Sequence, residues 1–263
     1  VVVEGYFDVI SLASAGIEEV VASMGTALTQ EQLAITAKLI GPGASKIILC
    51  FDSDDAGQMA MERLCESNIL SKAVEKHGIN IHIATIPEKD IKDPADFVAA
   101  RGGNAFRHEV LETSRPWTDW YIERMASNHQ VVSSDGDTAL DSADQSLVDI
   151  CDKISTFLAS FDSSERTRMA YSAASILARI LSDPKVVNGT APQVSTSSLQ
   201  IRLESDLLGD ASRKAGARDA IADRIERIES ADTSALSSQP TFASPGALVA
   251  KMSSGEGVTS LLD

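Results

Sequence analysis

Basic residues are scarce in this chain. It has 23 Lys and Arg against 38 Asp and Glu, a formal net charge of -15 at pH 7. Proteins that bind nucleic acid draw much of their affinity from Lys and Arg meeting phosphates. This chain is therefore not expected to hold DNA or RNA tightly unaided. A polyanionic substrate would reach it through metal ions or through a basic partner domain. Cysteine is nearly absent too. Cys50, Cys65 and Cys151 lie far apart and form no CxxC pair, which excludes a zinc ribbon or a disulfide framework on spacing. Zinc is not expected, and free thiols in a reducing compartment are. Aromatic residues make up 5% of the chain. No apolar run reaches 18 residues, so no membrane span is expected. There is no initiating Met and no signal peptide, and the chain opens on Val1-Val2-Val3 in what reads as a strand. A fragment of a longer protein is expected.

What is present is a repeated pattern. With 263 residues, 43% of them hydrophobic, the chain can bury a core in one large or two smaller domains. Strands are predicted at 1–3, 19–23, 46–51 and 79–86. Helices are predicted at 6–15, from Thr29 to about Ile40, as one long element over 56–77, at 94–100 and at 104–111. Thr29 with Gln32 three residues on is a capping box. Strand and helix alternate four times with short links. That implies an α/β domain with a mostly parallel four-stranded sheet flanked by helices.

Beyond about Ser114 the strand pattern stops. Helices are expected at 117–125, 149–161 and 163–181, the last capped by Ser163 or Ser164. Segment 127–147 reads as a polar mobile loop, 198–228 as a polar helix and 230–263 as disordered. The expected division is 1–113 catalytic α/β domain, 114–185 small helical domain, 186–230 polar helical extension and 231–263 disordered tail.

The chemistry concentrates in Lys46-Ile47-Ile48-Leu49-Cys50-Phe51-Asp52-Ser53-Asp54-Asp55-Ala56-Gly57-Gln58. A buried strand ends there in carboxylates and a helix follows. In open α/β sheets ligands bind beyond the carboxyl ends of the strands. Asp52 and Asp54 can present oxygens to one small volume, the arrangement a hard cation such as Mg²⁺ requires. The alternative is a capping loop, since Asp at a strand-to-helix junction accepts from free helix N–H groups. Glu4, at the end of the first strand, belongs at the same sheet edge. A carboxylate there has little packing reason to exist. Asp8 can favour the positive end of its helix. Asp93-Pro94 with Asp96 is a good helix start in its own right. Gly25 and Thr26 can offer backbone N–H groups to a phosphate or merely turn the chain.

Four segments, in order, resemble the TOPRIM domain of bacterial DnaG-type DNA primases. They are Glu4-Gly5-Tyr6-Phe7-Asp8-Val9-Ile10, Ser23-Met24-Gly25-Thr26-Ala27-Leu28-Thr29, Phe51-Asp52-Ser53-Asp54-Asp55-Ala56-Gly57, and Pro87 with Lys92-Asp93-Pro94-Ala95-Asp96-Phe97. The resemblance is strong over about 1–113 and weak to about 185. It implies a TOPRIM-like fold and metal-dependent nucleotidyl transfer, the making of short RNA primers on single-stranded DNA. It implies Glu4 as catalytic glutamate (metal ligand or general base), Asp52 and Asp54 as catalytic metal ligands, and Asp8, Asp93 and Asp96 as further metal-associated acids. Gly25 and Thr26 would face phosphate or nucleotide. Mg²⁺ or Mn²⁺ would be the cofactor. Implied partners are the single-stranded DNA template, nucleoside triphosphates, the RNA primer, a replicative helicase, and the family's zinc ribbon and basic polymerase subdomain, neither of which this chain contains. Bacterial cytoplasm or nucleoid is the implied location, with a plastid or mitochondrion also compatible.

Three departures stand out. Ser53 replaces the usual Gly, Asp55 stands where a basic residue is common, and Ala95 takes the place of a second acid that Asp96 can supply one residue on. The alternative functions are a TOPRIM domain of a topoisomerase or nuclease, or a non-catalytic module that docks a helicase. The topoisomerase forms of the motifs are missing, and Tyr6, Tyr121 and Tyr171 have no context for a nucleophile. The intact carboxylates argue against a non-catalytic module. A fused helicase is not supported, since Gly41-Pro42-Gly43-Ala44-Ser45-Lys46 is only a faint imitation of a phosphate loop.

Overall fold

The computed structural model describes residues 1–25, 28–40, 46–88, 90–128, 139–181 and 196–237. Its centre is a five-stranded sheet of order β2-β1-β3-β4-β5. The strands are β1 (Val2–Val3), β2 (Val21–Ala22), β3 (Lys46–Leu49), β4 (Asn80–Ile83) and β5 (Arg115–Pro116). The first four are mutually parallel. Val2 pairs with Val21 and Leu49, and Leu49 pairs with Ile83. The expected four parallel strands are thus joined by a fifth, two residues long and antiparallel to β4. It lies just past the point where the strand pattern was expected to end.

Alternation along the strands sorts the core into two faces, as a period of two requires. Val2, Ile47, Leu49, Ile81 and Ile83 pack in one apolar cluster. Val3, Ile48 and Cys50 pack in the other. The second face is covered by α1 (Tyr6–Ser14) and α5 (Pro94–Ala105), through Leu12 and Phe97. The first face meets α2 (Gln30–Ile40), α3 (Asp55–Glu66) and α4 (Ile69–His77). The same cluster continues into α6 (Trp117–Asn128), α7 (Ala139–Leu158), α8 (Ser163–Leu181) and the first part of α9 (Thr196–Ser237).

Several elements differ from expectation. The single helix over 56–77 is two, because Ser67 takes an extended conformation between α3 and α4. Its hydroxyl donates to the Leu64 carbonyl at 2.6 Å and accepts from the Ile69 N–H at 3.3 Å. A serine thereby competes with the helix backbone and breaks it. Gly78 ends α4 in the left-handed region at φ 61°. The fourth strand is shorter than 79–86. Helix α5 runs past Ala100 with a kink at Gly102, and Phe106–Leu111 is a π-helical turn. The cap of α8 is neither serine but Asp162, whose Oδ1 accepts from the N–H groups of Ser164 and Glu165 at 2.8 and 3.0 Å. Helix α7 begins at Ala139 rather than Asp149, so residues 139–147 of the expected loop are helical. Residues 129–138 lie outside the described residues. Helix α9 runs to Ser237, beyond the expected end. The rest of the expected disordered tail lies outside the described residues.

The chain divides into two compact units, 1–214 and 215–263. No helix among the described residues is long and apolar enough to cross a membrane.

Candidate active site

Parallel pairing brings the carboxyl ends of β1 and β3 side by side. The Cys50 N–H donates to the Val2 carbonyl at 2.9 Å, and the next contact along the edge joins two site residues. The Asp52 N–H donates to Glu4 Oε1 at 3.0 Å. Glu4 and Asp52, 48 residues apart in sequence, therefore meet at one point of the sheet edge.

Gly57 makes that point possible. A Cβ there would lie 2.3 Å from the Asp52 carbonyl oxygen and 2.9 Å from Glu4 Oε1. Only glycine lets the first turn of α3 approach so closely. Asp54 caps α3, accepting from the Gly57 N–H at 2.9 Å. The capping alternative for this residue is thus realised by one of its oxygens. Asp93 likewise caps α5, accepting from the Asp96 N–H at 2.7 Å. Asp96 itself is exposed. Asp8 is buried and bridges two loops: Oδ2 accepts from the Gly5 N–H at 3.1 Å and Oδ1 from the Ala95 N–H at 3.2 Å. Gly25 lies in an exposed turn after β2, next to Met24, whose φ is 58°. Thr26 lies outside the described residues.

Asp52 is the outlier in this set. Its Oδ1 is buried and has no hydrogen-bond partner. Burial, and then the charges of Glu4, Asp8, Asp93 and Asp54, push its carboxyl up to about 7. Burial also raises Asp8, against the pull of its two backbone N–H partners. Like charges crowd Asp52 without a counter-charge. That is the environment a hard cation relieves, so the donor set fits Mg²⁺ or Mn²⁺. Among the described residues, no three acidic, His or Cys side chains already stand close enough to hold a metal. The acids adjoin at the edge rather than converge. A cleft of about 640 Å³ lies elsewhere, between the α3–α4 break and α6–α7, and contains none of these carboxylates.

Two residues carry more than their types announced. Ser53, a departure from the resembled motif, shares its hydroxyl between the Ile91 and Lys92 carbonyls at 2.9 and 3.0 Å, while its N–H donates to Lys92 at 2.7 Å. It ties the Asp52 loop to the Asp93 loop, and glycine would keep only the last bond. Gly57 was visible only as a letter of the motif, and its role emerges from the 2.3 Å approach.

A family model described as Toprim-like matches residues 1–98. The DNA primase of Clostridium acetobutylicum is 42% identical over 135 residues, covering 51% of this chain and 20% of that protein. Residues 1–98 are a Toprim domain related to bacterial DNA primase. The DNA primase of Pseudomonas aeruginosa is 34% identical over 124 residues, 47% of this chain and 17% of that protein. A solved structure, the RNA polymerase domain of Mycobacterium tuberculosis primase DnaG, is similar at 25% identity over 64% of this chain and 48% of that one, with a TM-score of 0.44. The chain spans about a fifth of the length of the curated primases it matches.

Proposed function

We propose that this chain is the metal-binding part of a DNA primase, acting in nucleotidyl transfer that makes short RNA primers on single-stranded DNA. The observation that carries this reading is the buried, unpartnered Asp52 Oδ1 beside Glu4 in a Toprim domain related to primases. An acid so placed lowers stability unless a cation completes it.

Glu4 and Asp52 are the central pair, with Asp54 beside them. Asp8, Asp93 and Asp96 are outer acids, whose negative field strengthens the attraction for a cation. Asp8 and Asp93 also fix the two loops that frame the edge. A bound Mg²⁺ or Mn²⁺ would neutralise the triphosphate and ease deprotonation of the attacking hydroxyl. Glu4, held by the Asp52 N–H, is oriented to accept or orient a proton at its free oxygen. Gly25 and Thr26 are proposed to face the nucleotide phosphates. Residues 1–113 would form the catalytic domain, 114–185 a helical subdomain, and 186–230 and 231–263 an extension and tail.

With a net charge of -15, the chain would depend on basic partner regions of a longer primase to grip template and nucleotide. A replicative helicase is a further proposed partner. Primer synthesis by this chain alone is expected to be poor or absent.

The test is Mn²⁺ binding followed by paramagnetic resonance, for wild type, Glu4→Gln and Asp52→Asn. Wild type should bind, and both variants should bind about tenfold or more weakly with circular dichroism unchanged. Equal binding by all three proteins, with or without a nucleoside triphosphate, would overturn the reading.

A further inference from the structure

We propose that Gln32 is a positioning residue for the strand-end site: its side-chain amide clamps the Ser23–Gly25 turn beside Glu4, a task separate from capping its own helix. The proposal rests on the proposed function for what the edge does, and on geometry alone for the clamp.

The capping box at the start of α2 needs only an acceptor at position 32. Gln32 Oε1 accepts from the Thr29 N–H at 2.9 Å, and Thr29 Oγ1 accepts from the Gln32 N–H at 3.2 Å. A glutamate would do this equally well. The other half of the Gln32 amide has a different partner. Its Nε2 donates to the Ser23 carbonyl at 2.7 Å, shorter than either bond of the box. The orientation of the amide is fixed by chemistry. Thr29 N–H can only donate and the Ser23 carbonyl can only accept, so the reverse orientation fails at both ends.

The clamped turn has little else to hold it. Met24 adopts φ 58°, a left-handed conformation uncommon for a residue with a side chain. Its side chain is 66% exposed, so burial does not enforce that conformation. What remains is polar contact. The Ser23 N–H donates to the Val3 carbonyl at 2.9 Å, and the Met24 N–H donates to the Glu4 carbonyl at 3.1 Å. Ser23 is buried, and its hydroxyl bonds to the Gly25 carbonyl at 3.3 Å. Gln32 grips the same peptide from the opposite side.

The result is one connected path. Gln32 holds Ser23, the adjoining Met24 N–H holds the Glu4 backbone, and Glu4 Oε1 receives the Asp52 N–H. The path crosses the ends of β2, β1 and β3 in spatial order. A strained conformation persists only where its surroundings over-determine it. Here the over-determination ends at the proposed ligand, and release of the turn would loosen the Glu4 backbone.

Gln32→Glu separates the two tasks. It keeps the cap acceptor and replaces the clamp donor with an oxygen facing the Ser23 carbonyl. Gln32→Met removes both. Three measurements on the full chain are compared: melting temperature, amide hydrogen exchange at Met24 by NMR, and Mn²⁺ affinity by paramagnetic resonance. Gln32→Glu should melt within about 2 °C of wild type, exchange the Met24 amide about tenfold faster, and bind Mn²⁺ about tenfold more weakly, the scale of losing a residue that supports a metal ligand. The added negative charge would by itself strengthen Mn²⁺ binding, so a fall cannot come from charge. Gln32→Met should show the same two losses together with a lower melting temperature. Wild-type Met24 exchange in Gln32→Glu overturns the clamp. Faster exchange with unchanged or tighter Mn²⁺ binding overturns the positioning role. Faster exchange in a chain whose wild type binds no Mn²⁺ supports the clamp and overturns the reading of the edge instead.

Discussion

Asp52 at the end of β3 and Asp210 on α9 hold their carboxylates in opposite surroundings. Asp52 has a buried oxygen without a partner and four acidic neighbours, which raise it to about 7. Asp210 accepts from the Ser155 hydroxyl, pairs with Lys214 at 3.0 Å and takes an Arg213 bond at 3.2 Å, and these partners lower it. The contrast extends beyond the two residues. Around Asp210, Lys214 also bonds Asp152, Ser155 and Thr156, joining α7 to α9. Trp117, Tyr121, Phe157 and Phe161 pack nearby edge-to-face or tilted, at centroid distances of 5.0–6.0 Å. The other unpartnered buried atom among the described residues, Arg166 Nε, belongs to a guanidinium that bonds the Phe161 carbonyl. At the strand ends the unmet need is a carboxylate oxygen, set beside a left-handed Met24. One region is built for its own stability. The other gives up stability where a ligand would restore it.

The largest effects should come from packing, and they should separate the regions. Leu158, fully buried on α7, loses its contacts in Leu158→Ala at about 2–5 kcal/mol. Gly57→Ala forces a methyl against the Asp52 carbonyl and should cost about 1–3 kcal/mol. Urea unfolding measures both. Mn²⁺ affinity should fall in Gly57→Ala and stay at the wild-type value in Leu158→Ala. Wild-type stability and affinity in Gly57→Ala would mean that α3 can move off the edge freely, and the close approach would then not define the site.

How much of this was readable beforehand follows the same division. The four parallel strands were visible because Ile47, Ile48 and Leu49, or Ile81 and Ile83, are apolar runs that only a doubly covered sheet explains. The pairing of Glu4 with Asp52 followed from parallel topology. The capping box at Thr29 and Gln32 was visible, but the second bond of Gln32 was not, because Ser23 is nine residues away and comes near only when β2 joins β1. The break at Ser67 was missed because the apolar period of α3 and α4 continues across it, while a single hydroxyl decides the local backbone. The cap of α8 was assigned to serines when Asp162 stood one residue earlier. Strand β5 left no trace in its own two residues, since Arg115 and Pro116 pair only through what β4 offers them. The motif named the site acids correctly as a group without distinguishing Asp52, whose orphaned oxygen depends on burial, from Asp54 and Asp93, which cap helices.

A smaller effect tests the strand-end half of the comparison by its sign. Folded Asp52 keeps its proton up to about pH 7, whereas the unfolded chain releases it near 3.8. Between those values the folded state binds more protons, so stability falls as pH rises. The full rise corresponds to about 4 kcal/mol, and screening of a partly exposed group reduces the expectation to about 1 kcal/mol. Asp52→Asn carries no charge to bury. Without divalent cation it should match wild type near pH 4 and exceed it by about 1 kcal/mol at pH 8. Saturating Mn²⁺ should reverse the order at pH 8, because only wild type gains from binding. An Asn variant less stable than wild type at pH 8 in chelator would mean that the Asp52 carboxylate is already satisfied.

The smallest effect should have the opposite sign. Asp210 is lowered first by the Ser155 hydroxyl and then by Lys214. Its contribution is present above the unfolded value of 3.8 and is lost as pH falls through the folded value. The group is largely open to solvent, so Asp210→Asn should cost only about 0.5 kcal/mol at pH 7. The cost should vanish near pH 2, where wild type is protonated as well. Added salt at pH 7 should shrink it, since screening acts on exposed pairs, and Mn²⁺ should leave it unchanged. A loss that Mn²⁺ reversed would couple α9 to the strand ends, and the two aspartates would then belong to one device rather than to two regions built on different terms.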